Sequence, residues 1–224
     1  MFLAKDVYLA RLGARSVVLN LRRDRYIGLS EATTASLLAL TAQTPNLLTR
    51  IDPQDEPVRR TLVERGILTD EPGESPVRRA SRPTHSAWAH GVSTLPPARS
   101  AGAAAAAIMA LTQTSISLRF RPLLYTIGWL RRQHGKLYRG GRRGDVGLAL
   151  DIFAGARPWF PGPPVCRLDA PALCLYLWRR GIDADLIFGV RLDPFAAHCW
   201  TQIGACAVLE PYDAMHQYSP ILVI

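Results

Sequence analysis

The residues of this chain whose types and order could do chemistry lie near its C-terminus. Cys166 closes the run Pro163-Pro164-Val165-Cys166, just ahead of an apolar helical segment from Ala172 to Trp178. His198 follows within Phe195-Ala196-Ala197-His198-Cys199-Trp200, and two acids, Glu210 and Asp213, come after it. A thiol near a helix start, an imidazole on a strand and a carboxylate beyond supply a nucleophile, a base and an orienter, the division of labour in acyl transfer. A thiol attacks well only as thiolate, and both a helix N-terminus and a neighbouring imidazolium favour that form. Pro171 fits a first helical turn better than a later one, so Asp169 is a candidate N-cap, which would leave Cys166 in the turn before the helix. Glu210 directly follows Ala207-Val208-Leu209, where a strand end would present it, and is the preferred acid; Asp213, in a turn, is the alternative. Gln202 and backbone N–H groups near Cys166 are candidate oxyanion donors.

The remaining thiols read differently. Cys174 sits inside Ala172-Leu173-Cys174-Leu175 and Cys206 inside Ala205-Cys206-Ala207-Val208, and both are expected in the core. Cys199 alternates to the opposite face of the strand from His198. His198, Cys199, Cys206 and His216 match no standard zinc-ligand spacing, so no metal is expected. His85 and His90 fall in a linker composition, and His134 follows a helix end without a nameable partner.

The elements that must position these groups divide the chain in two. Residues 1–70 read as a small domain. Val7, Leu9 and Leu12 suggest a first strand, Ser16 to Leu21 a second, and Tyr26, Ile27 and Leu29 a third, paired with the second across Arg22-Arg23-Asp24-Arg25. Ser30 caps a helix through Leu40, a short helical piece lies near Asn46 to Arg50, and Pro57 opens a helix from Val58 to Arg65 that Gly66 stops, with Ile67 and Leu68 closing the unit. Three strands and three helices in this compass describe a winged-helix-like domain. Residues 71–98, with Pro72, Gly73, Pro76, Pro83, Pro96 and Pro97 among Ser, Arg and His, have a linker composition. Residues 99–224 read as helices first (Ala101 to Leu111, Leu118 to Arg132, Val146 to Phe153, and a helix after Cys166 that ends at Gly181). An antiparallel meander follows: Ala184 to Val190, His198 to Ile203, Cys206 to Leu209 and Pro220 to Ile224. The fold class is α+β.

Composition bounds the function. Hydrophobic residues make up 48% of the 224, enough for a core. The net charge of +9 invites a nucleic-acid reading, but Arg is spread along the chain and no basic run is interleaved with aromatics. An acidic peptide or phosphate-bearing partner suits the same charge. The stretch Ala101 to Leu118 carries no charge, yet Thr112, Gln113, Thr114, Ser115 and Ser117 interrupt it, so a packing helix is expected and not a membrane span. The opening Met1-Phe2-Leu3-Ala4-Lys5-Asp6 lacks a signal-peptide pattern, and the Cys residues form no CxxC pair, which favours a cytoplasmic setting with free thiols.

The residues from 100 onward resemble a known family. Cys166-Arg167-Leu168, Leu177-Trp178-Arg179-Arg180-Gly181, Leu186-Ile187-Phe188-Gly189-Val190 and Pro194-Phe195-Ala196-Ala197-His198-Cys199-Trp200 look like the leader peptidase of lasso-peptide biosynthesis, the B protein. The ending Tyr218-Ser219-Pro220-Ile221-Leu222-Val223-Ile224 is similar too. The N-terminal domain resembles the leader-recognition domain of peptide-modifying systems, akin to the peptide chaperone of pyrroloquinoline-quinone biosynthesis. Family members often carry Arg-Ser where this chain has Asp169-Ala170, commonly Ala where it has Cys199, and usually Asp where it has Glu210.

The resemblance implies a transglutaminase-like cysteine protease fold and cleavage at the leader–core junction of a ribosomally made precursor. Cys166 would be the nucleophile, His198 the base and Glu210 the orienter. The N-terminal domain would bind the leader by strand addition at Tyr26, Ile27 and Leu29, with Arg59, Leu62 and Arg65 lining a groove on the last helix. The freed core amine would pass to an asparagine-synthetase-like macrolactam synthetase. Gly140-Gly141-Arg142-Arg143-Gly144 lacks the Walker pattern, so no cofactor is expected to bind directly and any ATP dependence would reside in that partner. Two other readings fit the residues: a non-catalytic peptide-delivery module, and a winged-helix nucleic-acid binder.

Overall fold

A computed structural model describes residues 1–42, 55–71, 82–87, 101–137 and 145–224. The expected helical piece near Asn46 to Arg50, His90 and the glycine run from Gly140 lie outside them. The chain forms two compact units, Met1–Val77 and Arg78–Ile224.

In the first unit, β2 (Val7–Leu12), β3 (Arg15–Asn20) and β4 (Arg25–Leu29) make an antiparallel sheet in that order, so β4 is an edge. Leu9 faces Val18 and Val18 faces Ile27 across it. Ser30 Oγ accepts from the Thr33 N–H and starts α1 (Glu31–Ala42), the capping expected of it. Pro57 lies in the first turn of α2 (Glu56–Glu64) after the N-cap Asp55, and Gly66, at φ +66°, ends the helix. β1 (Phe2–Leu3) pairs with β5 (Leu68–Thr69), a two-residue ladder too short to leave a periodic signal in sequence. Val18, Leu29, Leu37, Leu40, Leu62 and Ile67 meet in the core of this unit.

In the second unit, the two expected helices before residue 132 take other limits. The first is one long helix, α3 (Ala101–Phe120), and the second is α4 (Leu123–Leu137). No Gly or Pro interrupts residues 111–118, and Thr112 returns its hydroxyl to the Ile108 carbonyl, so the polar residues stay in the helix. Pro122 is what separates the two. A buried hydrogen bond between Ser117 and Thr126 joins them. Among the described residues α3 alone is long and apolar enough to cross a membrane by length and composition. Its face bearing Ala107, Ala110, Leu111, Thr114 and Ser117 is buried and packs on α5 (Val146–Ala156) and α6 (Cys166–Trp178). From Ala170 to Trp178 α6 is apolar all round because it is covered all round, by α3 and α4 and by the sheet, while Arg167 in its first turn is exposed. The Trp178 indole N–H reaches the Ala184 carbonyl at 2.8 Å and fixes its far end.

The sheet runs β10-β7-β8-β9-β6, from β7 (Asp185–Arg191), β8 (Ala196–Ile203), β9 (Cys206–Val208) and β10 (Ser219–Val223). It departs from a simple meander. After β9 a short helix, α7 (Tyr212–Met215), carries the chain back so that β10 pairs with β7. The stretch expected as a linker supplies β6 (His85–Ala87), which pairs parallel with β9. The flanking residues join in: Thr84 N–H bonds the Ala205 carbonyl, and Arg82 donates to Ser219 Oγ at 2.6 Å. Polar composition concealed these contacts because an edge strand needs only its backbone.

Candidate active site

α6 begins at Cys166, four residues earlier than an N-cap at Asp169 would require. Pro163 and Pro164 favour extended backbone up to Val165, which is in the β region at φ −131°, ψ 133° and serves as N-cap. Its carbonyl accepts from the Leu168 and Asp169 N–H groups at 2.9 and 3.0 Å. Pro171 therefore stands inside the helix, where its ring forgoes one hydrogen bond, and surrounding burial holds the segment helical. The thiol occupies the first helical position, inside the positive end of the helix dipole.

β8 carries the other groups. Thr201 Oγ1 donates to the Ala170 carbonyl at 3.0 Å and accepts from Cys174 Sγ at 3.4 Å, so the face of β8 bearing Thr201 and Cys199 lies against α6. Cys199, through its side chain and its backbone, is one of the two residues that act on the Cys166 thiol. Cys199 is thus no bystander, although it does alternate with His198: it is on the face that the helix covers. Hydrogen bonds from Cys199 and His198 hold the Cys166 thiol down at about 4, against the opposing effect of burial. Burial alone would lower the His198 imidazole, but the acidic neighbours Cys166 and Glu210 outweigh it and raise it to about 9. Between those values the pair is thiolate and imidazolium. The proton shared with that thiolate pushes Cys199 well above an ordinary thiol, and burial adds to it.

His198 Nε2 faces Glu210 Oε1 at 3.6 Å. That is an ion-pair contact longer than a hydrogen bond, and Nε2 makes no hydrogen bond among the described residues. Such contacts tighten when substrate excludes water. The ring is held by Trp200, stacked at 6.3 Å, and Tyr218 at 5.5 Å. Gly189, paired with His198 across the sheet, leaves room for this packing. A Cβ there would stand 2.6 Å from Trp200 Cζ3 and 3.0 Å from Tyr218 Cβ.

The alternative acid, Asp213, is exposed on α7, and the acid beside His198 is Glu210. Gln202 is not an oxyanion donor: its amide accepts from the Trp200 indole at 3.2 Å and donates to the Gly204 carbonyl at 2.7 Å, on the face away from α6. Cys174 is core, its thiol pushed up to about 12 by burial, whereas Cys206 is only half-buried at the start of β9. His134 has partners, Asp183 at 3.3 Å and the Trp178 ring at 4.9 Å. Among the described residues no three His, Cys, Asp or Glu side chains converge as metal ligands would.

A cavity of about 760 Å³ opens beside Cys166, His198 and Glu210, walled by Phe153, Phe160, Leu173 and Leu209. Sequence reasoning missed the group that shapes its mouth. Arg157 pairs with Asp169 at 2.6 Å and donates to the carbonyls of Phe160, Gly162 and Pro163 at 3.3, 3.5 and 2.8 Å. One guanidinium thus ties the loop entering Cys166 to the first turn of α6. No local signal marks it among the 27 Lys and Arg residues.

Of the expected peptide-contacting residues in the first unit, Tyr26 and Ile27 are part-buried on the edge strand β4, and Arg65 is exposed. Leu29 and Leu62, at 6% and 1% exposure, belong to the core and offer no groove surface. The Arg59 guanidinium is taken up by Glu56 in two hydrogen bonds of 2.8 Å.

The family model of the transglutaminase-like superfamily matches residues 108–223, just over half of the chain, and the protein belongs to that superfamily. The superfamily includes cysteine proteases and acyltransferases. No curated protein and no solved structure matches the chain.

Proposed function

We propose that the protein is a cysteine endopeptidase that removes the leader of a lasso-peptide precursor. The observation that carries the chemistry is the placing of Cys166 at the head of α6 on one cavity with His198 and Glu210. Cys166 Sγ attacks the carbonyl carbon of the scissile bond, and the oxyanion forms beside the backbone N–H of Cys166 at the positive end of α6. The imidazolium of His198 gives its proton to the departing amine, leaving an acyl-thioester on Cys166. His198, now neutral, takes a proton from water, whose oxygen attacks the thioester and releases the leader acid and free thiolate. Glu210 orients the ring and offsets its charge. The amine set free on the core is the nucleophile a macrolactam synthetase needs, and ATP dependence, where present, lies with that partner.

The leader reading rests on the resemblance in the second unit and on the first unit, taken as a winged-helix-like recognition domain. Its β4, bearing Tyr26 and Ile27, is the outer strand of its sheet among the described residues, the position at which a strand is added. Incubating candidate precursor peptides with wild-type and Cys166→Ala protein, with and without synthetase and ATP, tests the proposal by mass spectrometry. One wild-type-specific cut is expected. Bound leader without a cut under any condition overturns the peptidase and favours a delivery module.

A further inference from the structure

We propose that Cys166 and Cys199 form a peroxide-responsive oxidation site, in which Cys199 captures the oxidised nucleophile as a Cys166–Cys199 disulfide. The geometry follows from how α6 lies along β8. Thr201 is bonded to Ala170 and Cys174. Two residues back along the strand is a step of ~6.6 Å, and four residues back along the helix is one of ~6 Å. Those matched steps lead to Cys199 and Cys166, which therefore stand opposite each other on the face of β8 that α6 covers, and Cys199 is the largest influence on the Cys166 thiol.

The two thiols differ in access, as an attacking and a resolving cysteine must. Cys166 lines the open cavity, whereas Cys199 is 2% exposed. A small oxidant reaches Cys166 first. Its thiolate attacks one oxygen of hydrogen peroxide and breaks the O–O bond; the departing hydroxide takes a proton and leaves as water, giving a sulfenic acid. The Cys199 sulfur then attacks the Cys166 sulfur and breaks its S–O bond. The leaving hydroxyl takes the Cys199 proton as a second water. The sulfurs together give up two electrons, which reduce the peroxide.

Neutral sulfenic acid also removes what holds the Cys199 proton. In the reduced protein the first cause of that hold is the hydrogen bond to the Cys166 thiolate. The other cysteines cannot substitute. Cys174 is on the same helix, eight residues on, ~12 Å away along the axis, and Cys206 starts β9, two strand ends away from the α6 head. The disulfide would silence the nucleophile reversibly and spare it the irreversible sulfinic and sulfonic steps.

The test treats the reduced full chain with a small excess of hydrogen peroxide and reads mass under non-reducing conditions. The wild type should lose about 2 Da, give a Cys166–Cys199 linked peptide on mapping, and regain iodoacetamide labelling of Cys166 after dithiothreitol. Cys199→Ser should instead gain about 32 or 48 Da at Cys166 and regain little labelling. Cys199→Ala is the second variant, with circular dichroism to show that each folds. Wild-type protein that gains about 32 Da as fast as the variants, or that links another pair, overturns the proposal. The readout is covalent mass, so it stands apart from whether the protein cleaves a peptide.

Discussion

The charge state of Cys166 makes a prediction that can be worked through in numbers. With the thiol held at about 4, Cys166 is almost wholly thiolate at pH 5, whereas a thiol at the ordinary 9.0 is ionised to only ~10⁻⁴. Ionisation alone would favour Cys166 by about 10⁴ at that pH. A less basic thiolate is a weaker nucleophile, and a Brønsted slope of roughly 0.4–0.5 over five pKa units takes back a factor of about 100–300. The net advantage at pH 5 is roughly 30- to 100-fold, and at pH 7 it shrinks to about parity. The decisive assay is therefore the pH profile of iodoacetamide labelling, read site by site by mass spectrometry. Cys166 should label at a flat rate from about pH 5 to 8, while an ordinary thiol gains about tenfold per pH unit over that range. His198→Ala removes one of the three hydrogen bonds that lower the thiol, together with the imidazolium charge, so it should restore a slope. A wild-type Cys166 rate that climbs tenfold per unit from pH 5 would refute the thiolate, and with it the ion pair on which the mechanism is built.

Other consequences are equally direct. Peptide cleavage should follow a bell, falling below about pH 4 as Cys166 gains a proton and above about pH 9 as His198 loses one. Glu210 raises His198, so Glu210→Gln should move the upper limb to lower pH and slow turnover on the order of tenfold, while Asp213→Asn leaves the profile in place. Gly189→Ala drives a Cβ against Trp200 and should cost about 1–3 kcal/mol in urea unfolding, with a lower kcat because His198 rests on the same ring. Arg157→Ala strands Asp169 and three carbonyls, so a loss of about 1–3 kcal/mol is expected. Arg157→Lys should not restore it, because an ammonium lacks the fork that reaches the loop and Asp169 together. A melting temperature unchanged by Arg157→Ala would show the clasp to be idle.

What could be read from the sequence was set by range. Cys166, His198 and Glu210 were legible because their chemistry is narrow and their order meaningful, and the hydrophobic runs of β3, β7 and α6 named their own elements. The start of α6 was misjudged because Pro171 argues locally for a later beginning, while the burial that overrides it comes from α3, α4 and β8, remote in sequence. Leu62 and Leu29 look like groove residues on one helix or strand alone. Only folding shows that they face each other inside the first unit. β1, β5 and β6 are two or three residues long, too short for any period, and their partners lie far along the chain. The Cys199 contact needed the helix–strand register, which no spacing encodes.

The edge strand β6 bears on how the protein can be divided. The superfamily match starts inside α3, and the compositional boundary falls near residue 99, yet the sheet extends back to His85 and is anchored by Arg82 on Ser219. A fragment beginning at residue 99 would strip β9 of its parallel neighbour and offer a bare hydrogen-bonding rim to other copies, inviting association. It would also release β10, whose Ser219 grips Arg82, at the end nearest Tyr218 and the His198 ring. A fragment that keeps the sheet intact should therefore include residues from Arg78 onward, and dissection there should separate the two units without loosening the histidine.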